Sequence, residues 1–200
     1  VDVGVFGKSR AGITRYLQNM LTYMEGFDSQ MQFFLYAGAP VEISLPPGNW
    51  QLRTDSGIRG KVGSVWLQWV CPKWLAEDKI DVFWGQNYML PLRLRRPCYR
   101  LLTIHDITAE LYPWTMPFRR RLNSRIHFRR AVQAADYVVA VSRATARLAH
   151  SCLGVESDRL KVIYEGVEEG FGSISSDAVG RRVAERFGLS PGYLLTVGTI

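Results

Sequence analysis

A chain of 200 residues, 47% hydrophobic and 12% aromatic, is long enough to bury a sizeable core and too apolar to be disordered. No uncharged apolar run approaches the roughly eighteen residues that a membrane-spanning helix needs. The net charge of +7 predicts attraction to something anionic without naming it. Cys71, Cys98 and Cys152 are odd in number and widely spaced, with no CxxC pair. That pattern favours reduced, buried thiols in a cytoplasmic protein over disulfides or a zinc site. The chain opens Val1-Asp2-Val3 with no initiator Met and no signal-peptide pattern, so part of the natural amino end is expected to be missing.

Residues 1–6 read as the end of a first strand, followed by a glycine-containing loop over 7–12. Ile13, Tyr16, Leu17, Met20, Leu21 and Met24 then recur at helical spacing and predict a helix over 13–25. Strand, glycine loop and helix start make Gly12 and Ile13 a candidate anion site, because the first helical amides have no intrahelical partner. The loop is neither GxGxxG nor a Walker loop, so by itself the signal is weak. A second strand is predicted over 31–36, then a loop-rich stretch with a brief strand at 50–53. Val62, Val65, Trp66, Trp69 and Val70 lie at helical intervals, and Pro72 predicts a kink or two short helices. Helical spacing assigns the tryptophans to packing rather than to a sugar-stacking platform.

Residues 81–85 predict a buried strand, with Gln86-Asn87-Tyr88 at its carboxyl end and a basic loop between Pro91 and Pro97. The next apolar run, 101–104, ends abruptly at His105-Asp106. Apolar runs without alternation suit strands of a parallel sheet covered on both faces, and ligands of such sheets sit beyond the strands' carboxyl ends. His105 and Asp106 are therefore candidate catalytic residues. The simpler alternative is a histidine satisfied by a carbonyl and an aspartate capping the following turn. A long helix is predicted over 117–135, with an apolar stripe of Phe118, Leu122 and Ile126 and a basic stripe of Arg121, Arg125 and Arg129. The basic stripe is either a solvated face or a patch for anionic lipid headgroups, where each cation contributes roughly 1 kcal/mol. A strand over 137–141 precedes Ser142, a good N-cap for a helix over 143–152, and Gly154 stands where a helix-ending glycine belongs. A strand over 160–164, a small-residue linker, a helix over 179–187 and a strand over 193–199 complete the chain. Alternating strands and helices predict an α/β fold: a Rossmann-like parallel sheet flanked by helices. The last strand reads as the opening of a further domain, giving a division into 1–170 and 171–200. No metal-ligand cluster is evident.

Six segments in order resemble the amino-terminal half of a family 4 glycosyltransferase of the retaining GT-B type. They are Ala11-Gly12-Ile13-Thr14-Arg15-Tyr16, Gly85-Gln86-Asn87-Tyr88 with Leu90-Pro91-Leu92, and Ile104-His105-Asp106; then residues 135–142, residues 162–167 and residues 195–200. The chain looks most like the mannosyltransferases of bacterial surface polysaccharide. The resemblance implies two Rossmann-like domains, the first on the acceptor side. It places the Gly12–Ile13 turn at the donor phosphates, His105 against the transferred sugar, and Asn87 and Tyr88 on the acceptor side. It implies a nucleotide-sugar donor, with GDP-mannose expected, a saccharide or lipid-linked acceptor, and no cofactor or metal. The reduced thiols predict a cytoplasmic enzyme, and the arginine stripe, on its functional account, predicts peripheral contact at the inner membrane face that brings a lipid-linked acceptor within reach. The family's donor-binding Arg/Lys pair and E-x7-E segment would lie beyond Ile200, so the chain alone is expected to be inactive. Tyr164-Glu165-Gly166 departs from the family by placing Glu where Asn is common. Two other readings stand beside this one: a GT-B-shaped sugar-nucleotide epimerase, and a basic module for nucleic acid or another anionic surface. No RRM, KH or helix-turn-helix signature supports nucleic acid as a partner.

Overall fold

The computed structural model describes residues 1–7, 12–24, 30–45, 48–55, 63–86, 88–115, 118–167 and 177–189. Contacts divide the chain into two units, Val1–Glu165 and Gly166–Ile200. In the first, helix α1 (Gly12–Met24) is followed by strands β1 (Phe33–Ala37) and β2 (Trp50–Thr54), and then by α2 (Gly63–Trp69) and α3 (Cys71–Glu77). Next come β3 (Val82–Gly85), β4 (Tyr99–Ile104), the single-turn α4 (Thr108–Leu111) and the long α5 (Phe118–Ala134). Strand β5 (Tyr137–Ala140), α6 (Arg143–Leu153) and β6 (Leu160–Val162) close the unit. The second unit contributes α7 (Asp177–Phe187). The predicted strand over 193–199 lies outside the described residues.

All strand pairs are parallel, in a two-stranded set β1-β2 and a four-stranded set β3-β4-β5-β6. The first three residues join them. Tyr36 N donates to Val1 O and Val3 N donates to Tyr36 O, each at 2.9 Å, while Asp2 N donates to Trp84 O at 2.9 Å. Residues 1–3 therefore lie between β1 and β3, giving the spatial order β2-β1-(1–3)-β3-β4-β5-β6. The direction of strand progression reverses at this inserted segment, which makes it a topological switch point. Residues 1–6 were expected to be strand throughout; the extended part ends at Val3 and a tight 3₁₀ turn, Gly4–Gly7, replaces the rest. Asp2 explains the early break, since its carboxylate accepts from Gly4 N at 2.9 Å and pulls the chain into the turn.

Side chains alternate across the sheet into two cores. Tyr36, Phe83, Leu102, Ile104 and Val138 point toward α2, α3, α5 and α6. Leu35, Ala37 and Trp84 point to the other side, with Leu17 and Leu21 of α1. The break at Pro72 does produce two helices, α2 and α3, with Pro72 in the first turn of α3. Trp66 is buried against Trp74 with ring centroids 6.0 Å apart, whereas Trp69 is 67% exposed, so packing accounts for only the first of that pair. On α5 the buried residues are Phe128, Ala131 and Val132, and Ile126 is exposed. Of the apolar stripe read from sequence, Ile126 lies off the packed face, because Phe128 sits about 200° further round the helix, while the side chains of Phe118 and Leu122 lie outside the described ones.

Gly85 ends β3 where the chain folds back on itself. A Cβ there would stand 2.7 Å from Leu90 Cδ2 and 2.9 Å from Met89 O. One of those neighbours is backbone and cannot yield cheaply. Gly85→Ala is expected to destabilise the protein by about 1–3 kcal/mol, measured by denaturant unfolding.

Candidate active site

The carboxyl ends of β3, β4, β5 and β6 share one edge, because register pairs Gly85 with Leu102, Ile104 with Ala140 and Ala140 with Val162. The loop residues leaving these strands meet there: Gln86 after β3, His105 and Asp106 after β4, Ser142 after β5, and Glu165 after β6. His105 has a side chain only 10% exposed, and its Nδ1 lies 3.0 Å from Glu165 Oε1. Its Nε2 is buried and has no hydrogen-bond partner among the described residues. The ring edge meets Tyr16 of α1 at a centroid distance of 5.0 Å and an interplanar angle of 85°. Tyr16 lies one turn into the helix that begins at Gly12 and Ile13, so the helix start expected to bind phosphate and the histidine are neighbours. Among the described residues nothing stands within 4 Å of where a side chain at Gly12 would begin. Burial pushes the Tyr16 phenol up, against a smaller opposing effect of its hydrogen bond with Thr103, so the phenol stays protonated.

Asp106 does not contact the histidine among the described contacts; it organises the loop. Its Oδ1 accepts from Thr108 N at 2.8 Å and its Oδ2 accepts from Tyr88 Oη at 3.0 Å. The carboxylate partner of His105 is instead Glu165, a residue for which the sequence suggested no definite role. Tyr88 has φ +56°, an uncommon value for a bulky residue, and its ring packs edge-on to Phe128 at 5.2 Å. Burial and then the Asp106 charge push its phenol up, so Tyr88 remains a donor. Asn87, the other acceptor-side candidate, lies outside the described residues. Ser142 caps α6 by accepting from Thr145 N at 3.0 Å, and Thr145 Oγ1 donates to His105 O at 3.5 Å. Gly154 ends that helix with φ +68°.

Two buried polar groups escaped the sequence reading. Gln86 is fully buried, and neither atom of its carboxamide has a partner among the described residues. Trp84, two residues earlier on the same face, donates from Nε1 to Thr103 Oγ1 at 2.9 Å. A glutamine directly after an apolar strand was the available signal for Gln86. No local pattern could reveal Glu165, which reaches His105 across 60 residues of chain.

The arginine stripe stands apart from this edge and is not a bare basic face. Arg125 Nη2 lies 3.1 Å and Arg129 Nη2 2.7 Å from Glu110 Oε2, and the Glu110 side chain is only 3% exposed. Arg121 also has an interaction of its own. Among the described residues no group of His, Cys, Asp or Glu gathers as a metal-ligand set, and no helix is long and apolar enough to cross a membrane.

The family model for glycosyltransferase family 4 matches residues 11–171, most of the chain. The chain belongs to glycosyltransferase family 4. The solved structure of the wall teichoic acid polymerase TagF is similar in fold to this family 4 chain, with a TM-score of 0.51 at 15% identity. The similarity covers 82% of this chain and 37% of that one, so the chain spans little more than a third of the polymerase. The shared architecture is the GT-B type, parallel strands flanked by helices. No curated protein sequence matches the chain significantly.

Glu110 belongs to α4, the turn directly after His105-Asp106, so its ion pairs pin the site loop to α5. Burial acts to raise its pKa, but hydrogen bonds from Arg129 and Arg125 outweigh this and hold the carboxyl below the usual range. A depressed folded-state value stabilises the fold fully above the unfolded carboxyl pKa of about 4.3, and that stability is lost as pH falls through the folded value. Glu110→Gln is expected to lose about 1–3 kcal/mol at neutral pH. The variant should also show a shallower acid decline below about pH 4. Denaturant melts of both proteins across pH check this.

Proposed function

We propose that this family 4 chain is the acceptor-side half of a retaining hexosyltransferase. It would transfer mannose from GDP-mannose to a polysaccharide or lipid-linked oligosaccharide acceptor at the cytoplasmic face of a membrane. On this reading residues 1–170 form the acceptor-side domain and 171–200 lead into the donor-binding domain. The observation that carries the proposal is the buried, unpartnered His105 Nε2 at the strand ends, one ring contact away from the helix that starts at Gly12.

Glycosyl transfer asks the protein to stabilise an oxocarbenium-like sugar and a departing nucleotide diphosphate. The first amides of α1, at Gly12 and Ile13, offer hydrogen bonds and the positive end of a helix dipole to the phosphates. His105 Nε2 holds a hydroxyl of the transferred sugar and so fixes the anomeric carbon relative to the leaving group. Tyr88 lines the acceptor side, where Asn87 is assigned by its place in the sequence alone, and Asp106 keeps Tyr88 and the His105 loop in register. Cationic stabilisation of the leaving diphosphate is left to residues beyond Ile200, so the 200-residue chain alone is expected to be inactive. Peripheral membrane contact through Arg121, Arg125 and Arg129 has weaker support, because Glu110 already neutralises part of that stripe.

The test uses the full-length protein with a panel of GDP-, UDP- and ADP-sugars, with and without saccharide or lipid-linked acceptors. Acceptor-dependent release of GDP from GDP-mannose, with the product's anomeric configuration retained, is expected. Release without transfer to any acceptor would point to an epimerase, and no release from a folded protein would reject the transferase. His105→Ala should slow turnover by about 10²-fold or more, the scale of a positioned polar group.

A further inference from the structure

Glu165 and His105 form a pair whose chemistry is more restricted than proximity alone requires. An ionised carboxylate can only accept hydrogen bonds, so the 3.0 Å contact from Glu165 Oε1 to His105 Nδ1 needs the proton on Nδ1. In the neutral ring that leaves Nε2 as a lone pair, and Nε2 is the atom that is buried and unpartnered. The other groups around the ring do not compete for Nδ1. Tyr16 of α1 presents its ring and stays protonated. Asp106 is taken up by Tyr88 and Thr108, and Thr145 of α6 reaches only the His105 carbonyl.

We infer that Glu165 is a positioning residue: it fixes His105 as the Nδ1–H tautomer and orients Nε2 as an acceptor for a ligand hydroxyl. That the hydroxyl belongs to a sugar rests on the transferase reading; the tautomer does not. Glu165 touches no reacting atom. It acts through the ring, like the outer partner of a metal-bound or catalytic histidine. The arrangement selects ligands that donate a hydrogen bond at this point, and a sugar deoxygenated at that hydroxyl should bind or react poorly.

The experiment labels histidine with ¹⁵N in the full-length protein and reads the imidazole nitrogens at about pH 8, above the ordinary imidazole pKa of about 6.5. The His105 signals are assigned by their loss in His105→Ala. Wild type should show the Nδ1–H form, and Glu165→Gln should keep it, because the amide oxygen can still accept. Glu165→Ala should lose the fixed tautomer. In parallel, kcat of Glu165→Ala should fall about 10- to 100-fold with little change in KM, while Glu165→Gln recovers most of the rate. An Nε2–H form in wild type, or a tautomer unchanged in Glu165→Ala, would overturn the inference. So would a Glu165→Gln enzyme as slow as Glu165→Ala despite an intact tautomer, since the charge itself would then be acting. If wild type releases nucleotide from no donor, the transferase reading fails, and the spectra still decide the pairing on their own.

Discussion

Three residues at the start of the chain hold the site's geometry together. Val1–Val3 bond to β1 on one side and to β3 on the other, and without that segment the two strand sets would have no shared ladder. Because strand order reverses there, the chain leaving residue 3 leads to α1 on one face of the sheet, and the chain leaving β3 leads to Leu90 on the other. Every later strand that pairs in parallel adds its carboxyl end to the same edge. The site is thus a consequence of parallel pairing plus one reversal, before any particular side chain is considered.

The His105 loop is then restrained from several directions at modest energetic cost. Asp106 ties it to Tyr88, Glu110 ties the following turn to α5 through two arginines, and Thr145 bonds the His105 carbonyl. Charge-assisted bonds from two guanidiniums to one buried carboxylate are among the stronger of these restraints. A polar group that must meet a ligand within a few tenths of an ångström needs such support, since small misplacements lose much of the effect. The positive φ of Tyr88 fits the same account: local strain is tolerated where surrounding contacts dictate the conformation.

Much of this was legible in the sequence because it is periodic or punctuated. Parallel strands buried on both faces announce themselves as short apolar runs, and Pro72, Ser142 and Gly154 mark helix boundaries by backbone chemistry alone. The position of His105 after β4 came from the same logic. What stayed hidden depends on contacts between distant residues. The early break at Gly4 comes from Asp2 turning on its neighbour, a local choice that an apolar run does not encode. The packed face of α5 is set by where the sheet lies, so Ile126 and Phe128 cannot be ranked by hydrophobicity. The arginine stripe looked bare because Glu110, its counterion, sits 15 and 19 residues away on another helix. Glu165 first appears as a departure from a family pattern, and only the fold shows what it faces.

The unpartnered polar atoms bear on whether this edge is a site or merely a loop junction. A buried donor or acceptor left without a bond loses about 1–3 kcal/mol relative to one that is satisfied. Among the described residues Gln86 leaves two such atoms unpartnered and His105 leaves Nε2, beside the ends of β3 and β4, while Trp66 Nε1, Arg100 Nε and Arg159 Nε are in the same state elsewhere in the fold. A ligand rich in hydroxyls both donates and accepts, and so can satisfy an imidazole lone pair such as Nε2 as well as amide groups. The arrangement suits a saccharide better than an apolar or purely anionic ligand, and under the proposed function the helix start at Gly12 would supply the anion-binding element separately. Division of labour between a helix terminus for charge and strand-end side chains for hydroxyls matches the two chemical halves of a nucleotide-sugar.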